Sequence, residues 1–333
     1  MLAAALLLAN GAFAQDAKAL NEEGKNALAG GNLTLALKKF QQADQADPAS
    51  PQIQFNLGLV FFRMGQPAKA IAPLRKAVAD PTLADQARYL LGAAYFDSGD
   101  FANARTQLGG LEESQHAEHV LFMLEESCRL TGRQAEAKQA FHALNTRFPD
   151  SGWVHYLMGN AHENQAEHEK AIAEYRAALA VDSKLPNANF AIGYIYWQDR
   201  AFEEAKPWLN RELAVQPCHA LACYYLAEMA RGEGETSDAL RLYRRAIQCD
   251  DRNAKAHLGL GIALSQSNRN QEAIDEFRRA IRLDPRDAAA HYRLAVLYRK
   301  LGREAEAEAE YARVKQVHDA SDAQAAKSLN ARH

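Results

Sequence analysis

Small and apolar residues recur along the chain with a period of 34, and this period determines the elements that the sequence predicts. The units begin at Ala17, Pro51, Asp85, Glu118, Gly152, Pro186, Ala220, Ala254 and Ala288, with a single step of 33 before Glu118. Each unit holds two stretches whose apolar residues are spaced three or four apart, as in Tyr292, Leu294, Ala295 and Tyr298. This spacing predicts two amphipathic helices in every unit.

Three positions carry the same kind of residue in nearly every unit. Position 8 is small in eight of nine units, as Gly24, Gly58, Gly92, Gly159, Gly193, Ala227, Gly261 and Ala295, while Glu125 breaks the pattern. Position 20 is always alanine, at Ala36, Ala70, Ala104, Ala137, Ala171, Ala205, Ala239, Ala273 and Ala307. Position 24 is large and apolar, at Phe40, Leu74, Leu108, Phe141, Tyr175, Leu209, Tyr243, Phe277 and Tyr311. Small residues at positions 8 and 20 allow the two helices of a unit to approach closely.

A turn separates the two predicted helices, most clearly at Gly65, Gly99, Gly132, Gly234 and Gly302. Glycine adopts the left-handed conformation that ends many helices. A single helix pair is too thin to bury its own apolar faces, so consecutive pairs must stack and share them. The predicted product is an all-α solenoid of about eighteen helices.

The pattern resembles the tetratricopeptide repeat family, which combines a small residue at position 8 with alanine, an aromatic residue and a closing proline further on. The closing proline is present as Pro48, Pro149, Pro217 and Pro285. The resemblance implies a right-handed α-solenoid of about nine helix-turn-helix repeats over residues 15–317. Residues 318–333 are expected to form a C-terminal capping helix or tail. Because Glu125 replaces the small residue of the fourth unit, we expect a local irregularity near 110–130, with GGLEES shortening a second helix.

The first residues differ in character from the repeats. MLAAALLLANGAFAQ contains an apolar run and then Ala12, Phe13 and Ala14, a small-x-small pattern that suits cleavage before Gln15. We interpret residues 1–14 as a secretory signal, which predicts a secreted or periplasmic protein with no membrane span in the mature chain. The alternative is an apolar N-terminal helix that caps the fold.

Composition narrows the possible functions. With 48% hydrophobic residues, 24% charged residues and a formal charge of -3, the chain lacks the basic surplus of nucleic-acid-binding proteins. It contains no GxSxG, P-loop, HExxH or dinucleotide-binding motif. The sequence therefore predicts a non-catalytic protein without a cofactor or metal site. His116, His119 and His142 are interpreted as surface or partly buried side chains, and His155, His257 and His291 at position 4 as structural residues.

The family resemblance implies that first helices line a concave face, chiefly through positions 2, 5, 6, 9, 12 and 13. Carried onto this sequence, these positions give an aromatic groove with interspersed polar groups. The predicted partner-binding residues are Phe122, Trp153, Tyr156, Asn160, Glu163, Phe190, Tyr194, Trp197, Gln198, Tyr224, Tyr225, Glu228 and Arg231. Such a groove buries apolar side chains of a peptide and pairs its backbone groups.

The resulting hypothesis is a protein- or peptide-binding scaffold for cell-envelope assembly or secretion. A carbohydrate-binding or polysaccharide-processing accessory protein is the alternative, because aromatic rings also stack on sugars.

Four cysteines, at 128, 218, 223 and 249, allow disulfides in an oxidising compartment. Cys223 at position 4 and Cys249 at position 30 should lie close together, because the helices of one unit are antiparallel. We therefore predict a Cys223–Cys249 disulfide, with Cys218 as a competing partner and reduced core cysteines as the other alternative.

Overall fold

A computed structural model describes the backbone of residues 2–330 and the side chains of 16–320. This part of the chain contains eighteen helices and no strand, as predicted. The helices are α1 (Leu2–Ala29), α2 (Leu33–Ala46), α3 (Pro51–Arg63), α4 (Pro67–Ala77), α5 (Ala84–Asp97), α6 (Phe101–Leu108), α7 (Ala117–Leu130), α8 (Gln134–Arg147), α9 (Gly152–Glu163), α10 (His168–Val181), α11 (Ala188–Gln198), α12 (Phe202–Val215), α13 (Ala220–Gly232), α14 (Thr236–Cys249), α15 (Ala254–Gln266), α16 (Asn270–Leu283), α17 (Ala288–Lys300) and α18 (Glu304–Asn330).

Consecutive helices pair into nine repeats, and position 15 forms the turn inside each of them. The predicted glycines all have positive φ there, as has Gly31 in the first repeat. In the other three repeats Ala166, Arg200 and Asn268 take the same conformation, with φ between 57° and 61°. Every repeat therefore has a left-handed residue at this turn. In three repeats that residue is not glycine, so its Cβ atom makes the conformation less favourable.

The position-20 alanines lie between helices as expected, since all nine are at most 3% exposed. The glycines at position 8 also lie where a larger side chain would not fit. A Cβ atom on Gly159 would come within 3.0 Å of the Tyr175 ring, and one on Gly92 would meet Leu108 in the same way. Large side chains at position 24 fill the space that these glycines leave open, and Phe40, Leu74 and Tyr175 are fully buried.

The predicted irregularity in the middle of the array is confirmed. Helix α6 has only eight residues and is the shortest helix in the described chain. Gly109 and Gly110 follow it, and Gly110 has φ 85°. At the C-terminal end, α18 continues from the ninth repeat to Asn330 as one helix.

The chain divides into two compact units, Met1–Leu157 and Met158–His333. The 34-residue period predicts one continuous array from 15 to 317. The boundary between the two units falls inside α9, the first helix of the fifth repeat. The predicted signal, residues 1–14, lies where side chains are outside the described set. Within the described residues, no helix is both long and apolar enough to cross a membrane.

Candidate partner-binding surfaces

Aromatic rings from three consecutive first helices stack in the first unit. Tyr89 of α5 stacks on His116 with ring centroids 4.0 Å apart. Phe122 of α7 stacks on Trp153 of α9 at 3.9 Å, and Tyr156 packs against Trp153 edge to face at 6.1 Å. We call this set the first-unit cluster, which comprises Tyr89, His116, His119, Phe122, Trp153 and Tyr156.

His119 connects the two ends of the first-unit cluster. Its Nδ1 lies 2.9 Å from the Tyr89 hydroxyl, and its ring stacks on Trp153 at 5.4 Å. Burial lowers the pKa of His119 to about 4, with a smaller contribution from His116. The imidazole is therefore neutral near pH 7 and packs as an uncharged ring. No group of three or more potential metal ligands was found among the described residues.

A second group of rings lies in the other unit, on α11 and α13. Trp197 and Tyr225 have centroids 4.6 Å apart, and Tyr194 lies 5.2 Å from Tyr225. Phe190 stacks parallel to Tyr194 at 5.8 Å, and Tyr224 contacts Tyr225 at 5.1 Å. All five rings are half-buried, so each has packed and accessible edges. We call these five residues the second-unit cluster.

The buried carboxylate of Glu212 stabilises the start of α11, the helix that contains Phe190, Tyr194 and Trp197. Glu212 of α12 is fully buried and accepts hydrogen bonds from the backbone N–H groups of Asn187 and Phe190, at 3.0 and 3.2 Å. The Gln216 amide donates to it at 2.8 Å. These bonds satisfy N–H groups at the start of α11 that lack partners within their helix. Burial raises the pKa of Glu212, while the hydrogen bonds oppose that shift.

His219 also contacts residues at the start of α11. Its Nδ1 accepts a hydrogen bond from the Ala222 N–H at 3.0 Å, and its Nε2 lies 3.1 Å from the Asn187 side-chain oxygen. These partners require a neutral ring protonated on Nε2. Burial lowers the pKa of His219 to about 4, which agrees with that state. Because the ring also lies 4.5 Å from Phe190, it helps to hold this side chain in place.

Glu212 and His219 belong to the site but were not predicted from the sequence. A signal for Glu212 was available, because it occupies position 27 of its repeat. The other eight repeats have Ala43, Ala77, Leu111, Leu144, Ala178, Ala246, Ala280 and Val314 there. A carboxylate at an otherwise apolar position points to a buried polar network. His219 has no comparable signal, since it lies in the turn before α13.

Four of the five predicted polar residues have partners inside their own repeats. The Tyr175 hydroxyl lies 2.7 Å from the Asn160 side-chain oxygen and 2.8 Å from a Glu163 oxygen. In the seventh repeat, the Tyr243 hydroxyl donates to Glu228 and accepts from Arg231 Nε at 3.2 Å. Asn160, Glu163, Glu228 and Arg231 thus satisfy buried tyrosine hydroxyls. From the sequence, these four residues were predicted only to contact a partner.

The predicted groove residues are distributed over both units. Phe122, Trp153 and Tyr156 belong to the first-unit cluster, whereas the other predicted rings form the second-unit cluster. Phe122 is only 4% exposed, so it contributes mainly to the core. Gln198 is exposed at the end of α11, beside Trp197.

The predicted disulfide partner of Cys249 is wrong. Cys249 is bonded to Cys218, with their Cα atoms 5.2 Å apart, while Cys223 and Cys128 are free and buried. The antiparallel pairing does bring the start of α13 beside the end of α14, as expected. Cys218 lies just before α13, next to that end, whereas Cys223 lies further along the helix and is fully buried. The competing partner named from the sequence is the one that forms the bond.

Two position-4 histidines have the structural role that was predicted. His257 is 6% exposed, with Nδ1 at 2.6 Å from Glu276 and Nε2 at 3.2 Å from the Asp251 carbonyl oxygen. His291 repeats the arrangement with Glu310 at 2.6 Å. Both rings therefore connect the two helices of a repeat.

Comparison with known proteins agrees with this architecture. A profile described as "Tetratricopeptide repeat" matches residues 21–84, 55–112, 190–254, 224–285 and 258–326, and one described as "TPR repeat" matches 167–199. The "Protein CTR9 homolog" of Arabidopsis thaliana is 22% identical over 251 residues, which are 72% of this chain and 23% of that protein. The chain thus spans under a quarter of this curated relative.

Two solved structures share the fold over most of the chain. The APC/C hetero-tetramer Cut9-Hcn1 superposes with a TM-score of 0.61 at 17% identity, covering 86% of this chain and 56% of that one. A monomeric mutant of IFIT1 with Gppp-AAAA gives a TM-score of 0.52 at 16% identity, covering 90% of this chain and 71% of the other. At this level of identity the likeness concerns the fold alone.

Proposed function

The chain belongs to the tetratricopeptide repeat family, and from this premise we propose that it is a non-catalytic scaffold that holds a peptide segment of a partner protein on its second-unit cluster. The fold itself supports a protein-binding role. The observation that carries the proposal is the packing of Phe190, Tyr194, Trp197, Tyr224 and Tyr225, whose rings contact one another and remain half-accessible.

Prior ordering of these rings favours binding. Aromatic side chains offer a large contact area, and rings already held by neighbours lose little rotamer freedom when a partner arrives. Phe190 is fixed by His219 and by the backbone bonds to Glu212. The rings are therefore already ordered before a ligand binds.

The polar surroundings indicate what kind of peptide would bind. Glu228 and Arg231 pair with each other at 2.6 Å, so they contribute no net charge. The exposed amide of Gln198 can both donate to and accept from a peptide backbone. We therefore propose an extended or helical segment whose apolar side chains pack on the rings. Trp153 and Tyr156 of the first-unit cluster provide a further surface of the same chemistry.

The proposed setting is the periplasm or another exported location, in envelope assembly or secretion. The leader-like residues 1–14 favour export, and the Cys218–Cys249 disulfide supports an oxidising compartment. Mass spectrometry of the exported protein is expected to place its mature N-terminus at Gln15. Retention of residues 1–14 on the exported chain would contradict that cleavage.

The binding test uses a displayed library of random 12-residue peptides selected on the purified protein. We expect enriched peptides rich in apolar residues, and we expect the Tyr194→Ala/Trp197→Ala variant to bind them at least about tenfold more weakly by fluorescence anisotropy. Trp208→Ala is the matched control. Trp208 lies on α12 under Arg211 at 4.4 Å and belongs to neither cluster, so its loss should leave affinity unchanged.

Two results would overturn the proposal. One is full peptide affinity in a Tyr194→Ala/Trp197→Ala variant whose circular dichroism matches the wild type. The other is failure to select any peptide while cell-wall glycan fragments bind and the double variant loses them. That second result would establish the carbohydrate-binding alternative.

A further inference from the structure

The first helices α11, α13, α15 and α17 of the second unit lie side by side, since each contacts the next. The chemistry changes along this layer of helices. The rings of the second-unit cluster come from α11 and α13, whereas α17 contributes the cations Arg293, Arg299 and Lys300. We infer, resting on the proposed function, that the partner's peptide segment continues from the second-unit cluster to α17 and has acidic residues there.

The ninth repeat has the same geometry as the seventh, which places its cations on the side of the cluster. In the seventh repeat, Tyr224 and Arg231 both contact the ring at position 24, with 6.2 Å between centroids and 3.2 Å from Nε to the hydroxyl. In the ninth repeat, Tyr292 and Arg299 contact the position-24 ring at 6.1 Å between centroids and 5.6 Å from the guanidinium carbon to the ring centre. Arg293 has position 6, from which the cluster is also built.

No carboxylate on the first helices neutralises these cations. Helices α11, α15 and α17 contain no Asp or Glu residue, and the carboxylate of α13, Glu228, is already ion-paired at 2.6 Å. Arg293, Arg299 and Lys300 are exposed and form no ion pair within the described part of the chain. Lys300 donates a hydrogen bond at 3.2 Å to the side-chain oxygen of Asn268, which is uncharged. The positive charge of this surface is therefore available to a ligand.

The acidic residues closest to α17 in sequence have other partners or lie on its neighbour α18. Asp287 caps the start of α17 by accepting a backbone N–H at 2.9 Å. On α18, Glu306 pairs with the arginine three residues before it, and Glu310 bonds to a buried histidine of α17 at 2.6 Å. Glu304 and Glu308 are exposed on α18, and neither pairs with a residue of α17 that the structure describes. The first-helix surface thus keeps an excess of positive charge, which favours an anionic ligand group.

Aspartate and glutamate side chains of a peptide suit this surface. Guanidinium groups bind carboxylates through two parallel N–H···O bonds, and Tyr292, which is 48% exposed, offers an apolar contact beside them. Packed helices lie about 8–10 Å apart, so α17 lies roughly 16–20 Å from α13. An extended peptide covers about 3.3 Å per residue, so about six residues separate an apolar residue on the cluster from an acidic one on α17.

The test extends the peptides that the displayed library enriches on the full chain. Each peptide is remade with a spacer of about six Gly and Ser residues followed by a run of Glu, Lys or Ser. The extension is placed at each end in turn, which covers both chain directions. By fluorescence anisotropy at low ionic strength, we expect a Glu extension at one end to tighten binding at least about tenfold relative to the Ser extension. Added salt should reduce this gain, because exposed charges are screened.

Charge-neutral variants locate the effect. Arg293→Gln/Arg299→Gln should reduce the gain from the Glu extension to about twofold or less. Arg282→Gln/Arg313→Gln is the matched control, because it removes the same charge from exposed positions on the second helices α16 and α18. This control variant should keep the full gain. Equal loss of the gain in both variants, or a full gain in Arg293→Gln/Arg299→Gln, would overturn the inference.

The unextended peptides separate this inference from the proposed function. If Tyr194→Ala/Trp197→Ala weakens their binding but no Glu extension tightens it in the wild type, the acidic segment is wrong and the peptide-binding cluster stands. If no peptide is selected, or the cluster variant binds the unextended peptides with full affinity, both proposals are wrong.

Discussion

At the scale of single residues, one hydroxyl group changes what a repeat position requires. Position 24 is phenylalanine at Phe40 and Phe277, and both rings are buried without polar atoms. In the seventh repeat Tyr243 adds a buried hydroxyl, and Glu228 and Arg231 hydrogen bond to it. A buried hydroxyl without partners would cost about 1–3 kcal/mol. Positions 9 and 12 therefore have polar residues in this repeat for an internal reason, whether or not a partner also contacts them.

Tyr243→Phe tests this pairing. The substitution removes the hydroxyl but keeps the ring and the Glu228–Arg231 ion pair, so we expect a loss of about 1–2 kcal/mol of unfolding free energy. Urea denaturation followed by circular dichroism measures it. The control is Tyr311→Phe in the ninth repeat, where the buried hydroxyl has no hydrogen-bond partner among the described residues. Equal effects of the two substitutions would show that the hydroxyl bonds do not stabilise the seventh repeat.

At the scale of elements, the fourth repeat is the exception to the packing rule. Its first helix, α7, places Glu125 where other repeats place glycine or alanine. One Glu125 oxygen is buried without a hydrogen bond, and the nearest cation, Arg129, is 4.0 Å away. Burial raises the pKa of Glu125 to about 7, with a further contribution from Glu126 that Arg129 partly offsets. This helix therefore takes up a proton near neutral pH.

The sign of the pH dependence follows from that pKa. Because the pKa of Glu125 rises from 4.5 in the unfolded chain to about 7 in the folded one, the folded state binds more protons between these values. The contribution of Glu125 to stability is fully present below pH 4.5 and is lost as the pH rises to about 7. Glu125→Gln should remove this loss and stabilise the protein by about 1–3 kcal/mol at pH 8, with little change at pH 4.5.

Denaturation midpoints of both proteins at pH 4.5, 6 and 8 provide the measurement. Glu272→Gln is the control: Glu272 is an exposed residue whose pKa is lowered by its hydrogen bond with Arg269. Replacing Glu272 should slightly lower the stability of the protein at high pH, which is the opposite of the effect expected for Glu125→Gln. A Glu125→Gln variant whose stability follows the wild-type pH profile would disprove the assignment to Glu125.

At the scale of the whole molecule, covalent stabilisation is unequal between the two units. The Cys218–Cys249 bond closes a segment with a sequence separation of 31 that contains α13 and α14. Among the described residues, the first unit has only the free thiol of Cys128. Cross-linking stabilises chiefly by restricting the unfolded chain, and in a linear repeat array the effect stays near the linked repeat.

Reduction should therefore weaken the second unit selectively. Adding a phosphine reductant is expected to lower the local opening free energy of α13 and α14 by about 2–4 kcal/mol, measured by hydrogen exchange. Helices α3 and α5 in the first unit serve as the internal control. Thiol titration of the denatured, unreduced protein should find two free thiols, at Cys128 and Cys223. Four free thiols, or equal loss of protection in both units, would contradict this prediction.

The sequence by itself determined the repeat architecture. Position 20 is alanine nine times and each alanine is buried, because the same helix contact recurs every 34 residues and each recurrence imposes the same steric requirement. The short α6 was also predictable, since Glu125 and the 33-residue step interrupt the period beside it. The period predicts the architecture because each repeat packs its two helices through the same residue types at the same positions.

Only the tertiary structure decided how individual side chains are used. The ring of Tyr243 lies against Gly259 of the next repeat, where an added Cβ would come within 3.0 Å of it, although position 8 of its own repeat is Ala227. Likewise, Cys218 rather than Cys223 reaches Cys249, and Glu212 supports α11 from a neighbouring helix. Contacts between repeats depend on side-chain direction and on distances across helices. Spacing along the chain fixes which helices meet, but not which atoms on them do.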